Sequence, residues 1–359
     1  MIRIVVFDDY VGLAAKAFGS LNPSKFSVSY FPDTLPAYAL ESTTDDCRSQ
    51  LLERLVTADV ISTMRERTPF PAELVDRLPN LRLLLTTSRR NLALHLPSFK
   101  ARSIPVTGTE QPRSNGGYGT DSTTQHTIAL VLALARGIPA SVTSMANGGW
   151  QTRRTMAVGL GNKTLGVIGL GRLGTSVARG LHLGLGMKVI AWSPNLTQAI
   201  ADERAREAGL PVEDQASGRK TFCVVSREEL FRESDVVSIH LVLSDSSRGS
   251  ITVADLSLMK PSAFFVNTSR GPLVCERDLL SLLKQGRIAG AALDVFDTEP
   301  LPQNSEWRTI AWGEDGRSEV IITPHVGYME RDVLESWYEQ QVENLLAWDR
   351  GDPLKMRLV

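Results

Sequence analysis

Thr164-Leu165-Gly166-Val167-Ile168-Gly169-Leu170-Gly171-Arg172-Leu173-Gly174 runs from an apolar, β-branched stretch into a segment where Leu173, Val177 and Leu181 recur at helical spacing. G-x-G-x-x-G alone is a weak signal, because glycine triplets occur in many loops. Placed at a strand-to-helix turn, it has a definite physical reading. Gly169 permits the tight turn, Gly171 lets the backbone approach a pyrophosphate, and Gly174 lets helix and strand pack closely. The start of the helix offers free N–H groups and a positive dipole end to phosphates. Gly169, Gly171, Arg172, Leu173 and Gly174 are therefore candidate cofactor-binding residues.

Working outward, strand-like runs at residues 165–168, 188–192, 235–241, 263–267, 290–295 and 320–323 alternate with helix-like segments. Six such strands are what a doubly wound dinucleotide domain requires. Residues 211–221 and 303–319 are polar and irregular, and read as surface insertions. Upstream, apolar runs at 2–7, 58–63 and 81–86 with helical stretches between them predict a second, smaller parallel α/β unit. Between the two series, Gly108–Asp121 is rich in Gly, Pro, Asn and Ser, as linkers and exposed loops are. Ser122 and Gln125 there have capping-box spacing ahead of the apolar helix HTIALVLALAR. At the far end, Leu334, Tyr338, Val342 and Leu346 step by four and predict an amphipathic helix over 332–348, stopped before Gly351 and Pro353.

Composition narrows the function classes. A chain of 359 residues with 42% hydrophobic and 22% charged residues can bury cores for two α/β domains. A net charge of −1 gives no global reason to expect nucleic acid or an anionic membrane as partner. No stretch approaches the roughly 18 apolar residues that span a bilayer, and MIRIVVFDDY reads as a strand rather than a signal peptide. Cys47, Cys223 and Cys275 are odd in number and far apart, which argues against a disulfide framework or zinc knuckle and suits the cytoplasm. No His, Cys or carboxylate spacing suggests a metal.

Three later strands each end in a loop with one ionisable group. Arg270 follows Phe-Phe-Val-Asn-Thr-Ser, Glu299 follows Ala-Ala-Leu-Asp294-Val-Phe-Asp-Thr, and His325 follows Val-Ile-Ile-Thr-Pro. In an open parallel sheet, ligands bind beyond the carboxyl ends of the strands. The trio suits carbonyl reduction, in which oxygen gains negative charge and needs a proton. Histidine is the natural donor near neutral pH. A glutamate on its other nitrogen fixes the tautomer and favours the imidazolium. Arginine can hold a substrate carboxylate bidentately and stabilise the oxyanion.

The runs 164–174 and 235–241, Asn267-Thr-Ser-Arg-Gly-Pro-Leu-Val, Gly290-Ala-Ala-Leu-Asp-Val-Phe-Asp-Thr-Glu-Pro and Thr323-Pro-His-Val-Gly resemble the D-isomer-specific 2-hydroxyacid dehydrogenase family. The resemblance implies a Rossmann cofactor domain over 110–327 and a discontinuous flavodoxin-like substrate domain built from 1–109 and 328–359. It implies that Arg270 binds and activates a small 2-hydroxy or 2-keto acid, that Glu299 assists, and that His325 is the acid/base. It also implies that Asp294 meets the nicotinamide carboxamide, that Thr268 lies against the cofactor, and that the chain is a homodimer through the cofactor domains, with the helix at 127–135 among the contacts.

Several residues depart from the pattern. Where many members have a glycine-centred loop gripping the substrate carboxylate, this chain has Thr87-Ser-Arg-Arg-Asn91. Arg90 and Asn91, with Arg65 of Met64-Arg-Glu-Arg67, are candidate substrate-binding residues, the alternative being solvated loop charge. His126 reads as a helix residue and His240 as a cleft-wall residue. After residues 188–192, the position that is acidic in NAD-preferring domains falls at Ser193, and no Arg or Lys lies between Val189 and Glu203 to recruit a 2′-phosphate. NAD and NADP are thus both expected as cofactors. Two other readings share these motifs. One is a dinucleotide-sensing scaffold similar to corepressors on this fold. The other is a formate dehydrogenase, which places glutamine before the histidine where Pro324 stands here.

Overall fold

The structure is a computed structural model that describes residues 1–359 apart from 42, 90, 111–120, 152–155 and 215–217. It divides into two compact units, Met1–Arg113 with Met329–Val359, and Ser114–Tyr328.

The first unit contains β1 (Ile2–Phe7), β2 (Phe26–Phe31), β3 (Val60–Thr63), β4 (Leu83–Thr86) and β5 (Val106–Thr107) in the order β2-β1-β3-β4-β5. Every pairing is parallel, and the order is that of a flavodoxin-like sheet. β2 and β5 had no counterpart in the sequence reading. β2 is an edge strand that alternates Phe-Ser-Val-Ser-Tyr-Phe and buries only Phe26, so it lacks an unbroken apolar run. β5 is only two residues long. One face of the sheet packs Phe7, Ile61, Leu84 and Val106 against Leu51, Leu55, Phe70 and Phe99. The helix Arg331–Arg350 belongs to the same unit. It buries Trp337, Tyr338 and Leu345, and its Gln341 Oε1 accepts a 2.5 Å hydrogen bond from the Ser62 hydroxyl of β3. The Tyr338 hydroxyl donates to Asp9 at 3.1 Å. Gly351 ends the helix at φ 76°.

The second unit contains β6 (Thr164–Ile168), β7 (Lys188–Trp192), β8 (Phe222–Val224), β9 (Val236–Ile239), β10 (Phe264–Asn267), β11 (Gly290–Leu293) and β12 (Glu319–Ile322). Their order is β12-β11-β10-β9-β6-β7-β8, again all parallel. The strand order reverses between β6 and β9, the switch point where doubly wound sheets bind ligands. The seventh strand, β8, is a three-residue edge strand behind the polar stretch at 211–221. The stretch at 303–319 is not wholly superficial, because Trp307 of the short helix Glu306–Thr309 is 2% exposed and packs on Phe296. Helix Ser122–Arg136 begins at the expected cap residue, and its cap is Asp121, one residue earlier. The Asp121 carboxylate accepts from the Thr124 N–H and hydroxyl at 3.0 and 2.7 Å, leaving Ser122 inside the helix. This helix buries Thr127, Leu130, Val131, Leu134 and Ala135, whereas the following helix, Ile138–Ala146, buries nothing and exposes Ile138, Val142 and Met145. Among the described residues, no single helix is long and apolar enough to cross a membrane, and no cluster of side chains could hold a metal ion.

Asp8, just after β1, is fully buried with φ 62°, and one carboxylate oxygen accepts from the Thr34 hydroxyl at 2.6 Å. Burial pushes its carboxyl from 3.8 up to about 6, partly offset by Thr34, Thr68 and Arg67. Between those two values the native chain binds more protons than the unfolded chain, so stability falls as pH rises through that window. Asp8→Asn should therefore stabilise the protein at pH 7 by roughly 2–3 kcal/mol and have little effect near pH 3.5. Equal urea midpoints for the two proteins at pH 7 would contradict this.

Candidate active site

β6 delivers the glycine loop to the switch point. Gly169 has φ 98°, and a Cβ there would lie 2.8 Å from the His240 carbonyl oxygen. A Cβ on Gly174 would lie 2.1 Å from the Gly169 oxygen, so the helix Arg172–Leu185 can seat on the turn only with glycine there. At Gly171, a Cβ would project into open space at the helix start, where a bound pyrophosphate has room and a side chain would take it. Leu173 is half-buried, and the exposed Arg172 lies 3.5 Å from Asp121. Ser193 is half-buried directly after β7. The sequence reading missed a nearby cation. The Arg227 guanidinium lies 4.9 Å from the centre of the Trp192 ring, and Asp255 holds it with bonds of 2.7 and 2.8 Å. Arg227 follows β8, beyond the segment between Val189 and Glu203 that carries no Arg or Lys.

The loops after β10, β11 and β12 carry the ionisable trio. Asn267 closes the first loop on itself, donating to the Arg270 carbonyl at 2.9 Å and accepting from the Ser269 N–H at 3.0 Å. The backbone at Gly271 is pressed against the next loop, since a Cβ there would lie 2.1 Å from the Phe296 carbonyl carbon. The Phe296 N–H in turn donates to Glu299 Oε1 at 2.8 Å. Glu299 Oε2 lies 2.6 Å from His325 Nδ1. An ionised carboxylate only accepts, which places the imidazole proton on Nδ1 and directs Nε2 away from Glu299. His325 has φ 53°, and its ring meets Tyr328 edge-on at 5.8 Å.

Asp294, 1% exposed, ties these loops together. One carboxylate oxygen accepts from the Thr323 hydroxyl at 2.6 Å and the Val326 N–H at 2.9 Å, and the other from the Gly327 N–H at 2.9 Å. Burial would push this carboxyl up, but the hydrogen bonds from His126, Thr323, Val326 and Gly327 together hold it below its ordinary value. Thr268 is buried, with its hydroxyl 2.8 Å from that of Thr127.

In the first unit, Asn91 is 4% exposed and its polar atoms are engaged locally. It donates to the Arg65 carbonyl at 2.5 Å and to Thr86 at 3.0 Å, and accepts from the Ala93 N–H. These bonds fix the course of the loop. Arg65 has φ 50° and its guanidinium lies 3.5 Å from Glu66. Arg90 lies outside the described residues. Ser88 adopts φ 121°, a conformation natural to glycine, in the segment where the family resemblance implies a glycine-centred loop.

Residues 128–327 match the family model described as D-isomer specific 2-hydroxyacid dehydrogenase, NAD binding domain. The chain belongs to the D-isomer-specific 2-hydroxyacid dehydrogenase family, a family of nicotinamide-dependent oxidoreductases. It is 31% identical to a glyoxylate reductase of Thermococcus litoralis, covering 85% of each chain. It is 26% identical to a hydroxypyruvate reductase of Blautia hydrogenotrophica, covering 99% of each. Among solved structures, a phosphoglycerate oxidoreductase from Vibrio cholerae superposes with a TM-score of 0.80 at 27% identity, covering 98% of this chain and all of that one.

The contact at Gly271 is open to test. Gly271→Ala must force apart the loops carrying Arg270 and Glu299, at a cost of about 1–3 kcal/mol or more. An unchanged urea midpoint would show that the loops relax freely.

Proposed function

We propose that this protein interconverts small 2-keto acids and D-2-hydroxy acids, with glyoxylate, hydroxypyruvate and pyruvate as the substrates to try first. The observation that carries this reading is the 2.6 Å contact of His325 Nδ1 with Glu299, which holds the ring as a proton-transfer group would be held. A bound nicotinamide supplies or accepts the hydride. As the carbonyl oxygen gains charge during reduction, His325 donates a proton to it from Nε2. Glu299 keeps the ring oriented through Nδ1, so that the proton passed to the oxygen is the one on Nε2. Arg270 binds the substrate carboxylate and stabilises the oxyanion. Arg65 is assigned to substrate recognition, and Thr268 and Asp294 to the nicotinamide side of the site. The names of the hydroxypyruvate and glyoxylate reductases among the relatives support this reading, and no observation favours a sensing scaffold.

His325→Ala should lower kcat by roughly 10²–10⁴-fold, the usual contribution of a general acid, with nucleotide binding retained. Arg270→Ala should fall hardest on kcat/KM, because contact with the charged substrate is lost in ground and transition states alike. Glu299→Gln leaves a side chain of the same size but removes the carboxylate that orients Nδ1, so it should lower kcat less than His325→Ala does. Near-normal turnover by His325→Ala would refute the assignment.

We also propose that both NADH and NADPH serve. Ser193 offers no charge to repel a 2′-phosphate, and Arg227 near β7 is neutralised by Asp255. The kcat/KM values for the two cofactors should agree within roughly tenfold, about 1.4 kcal/mol, and Ser193→Asp should shift preference to NADH. A wild-type preference above about a hundredfold would overturn this.

A cytosolic homodimer is the proposed state. The exposed apolar face of Ile138, Val142 and Met145 supports the helix Ile138–Ala146, next to the helix first expected, as the contact between copies.

A further inference from the structure

We infer that His126 and Thr127, adjacent residues on the helix Ser122–Arg136, are positioning residues that hold the His325 loop and the Arg270 loop in register. This rests on the roles assigned above to His325 and Arg270. β10 and β12 are not neighbours in the sheet, because β11 lies between them. Backbone pairing therefore leaves the two loops to be aligned from outside, across about 10 Å at the strand spacing of a sheet.

The start of the helix spans that gap. His126 Nε2 lies 3.1 Å from the Thr323 hydroxyl and 3.3 Å from Asp294 Oδ1. The Thr323 hydroxyl gives its own proton to Asp294, so its oxygen accepts from His126 and the imidazole proton sits on Nε2. His126 is thereby joined to both ends of the Thr323–Gly327 segment, because Asp294 also accepts from the Val326 and Gly327 N–H groups. The packing is close, with a Cβ on Gly327 falling 3.0 Å from Asp294 and 3.2 Å from the His126 ring. One residue on, Thr127 donates to the Thr123 carbonyl at 2.8 Å, so its oxygen accepts from the Thr268 hydroxyl at 2.8 Å, two residues before Arg270. The groups facing Asp294 are thus His126 from the helix and Thr323, Val326 and Gly327 from the His325 loop.

The test compares His126→Leu, His126→Gln, Thr127→Val and His325→Ala in the full-length protein. It measures kcat and KM for the best of the three keto acids across pH, and NADH affinity by fluorescence titration. His126→Leu should lower kcat on the order of 10- to 10²-fold, the cost of misplacing a reacting group by about 1 Å, with NADH affinity nearly unchanged. Removing one donor from Asp294 lets burial raise its carboxyl, so on the acid side the leucine variant should begin to lose kcat at a higher pH than wild type. His126→Gln restores an N–H donor and should recover much of both losses, which a purely structural role would not produce. Thr127→Val should depress kcat/KM more than kcat, through Arg270. Wild-type kcat and pH profile in His126→Leu, or no recovery in a folded His126→Gln, overturns the inference. Retained turnover in His325→Ala instead overturns the assignment beneath it.

Discussion

All strand pairings in the second unit are parallel, so seven strands deliver their carboxyl ends to one edge of one sheet. That constraint places the glycine loop, Arg270, Glu299 and His325 together although they are scattered over more than a third of the chain. A parallel sheet also forces each return through a crossover segment, and those crossovers cover both faces. The strands can then be short and fully buried, as the four-residue β9, β10 and β11 are. Chemistry is left to the loops, where water and ligands can reach it.

At that edge the costly element is Asp294. A nearly fully buried carboxylate is tolerated only when its oxygens are satisfied, and here neutral N–H and O–H donors do most of that work. Those donors come from the loop that ends in His325, so the same bonds that make the buried charge affordable also fix the backbone of the histidine. Glu299 acts one layer further out, anchored to the Phe296 N–H while it meets the imidazole.

Much of this was legible in the sequence. The glycine loop and the trio stand directly after apolar runs, and the strand-end rule alone brings them to one place. The edge strands β2, β5 and β8 were not legible, because each is very short or only half-buried and so carries no unbroken apolar run. Asn91 stands in a loop, and only the fold shows that the Arg65 carbonyl and Thr86 engage its amide. The stack of Arg227 on Trp192 and the contact of His126 with Asp294 join residues distant in sequence, and no spacing rule reports them. Asp121 displaced Ser122 as the helix cap because its carboxylate satisfies both the N–H and the hydroxyl of Thr124.

The first unit is assembled from both ends of the chain, and the Ser62–Gln341 hydrogen bond ties its sheet to a helix 279 residues downstream. During synthesis, β1 to β5 leave the ribosome with one face lacking its closing helix, and that face stays open until the whole second unit has been translated. At about 5–20 residues per second, a wait on the order of ten seconds or more separates the sheet from its cover. The second unit, continuous in sequence, can complete its own core in that interval, so the nascent chain folds from the middle outward. A face of exposed valine, isoleucine and leucine waiting that long is a natural client for a holding chaperone.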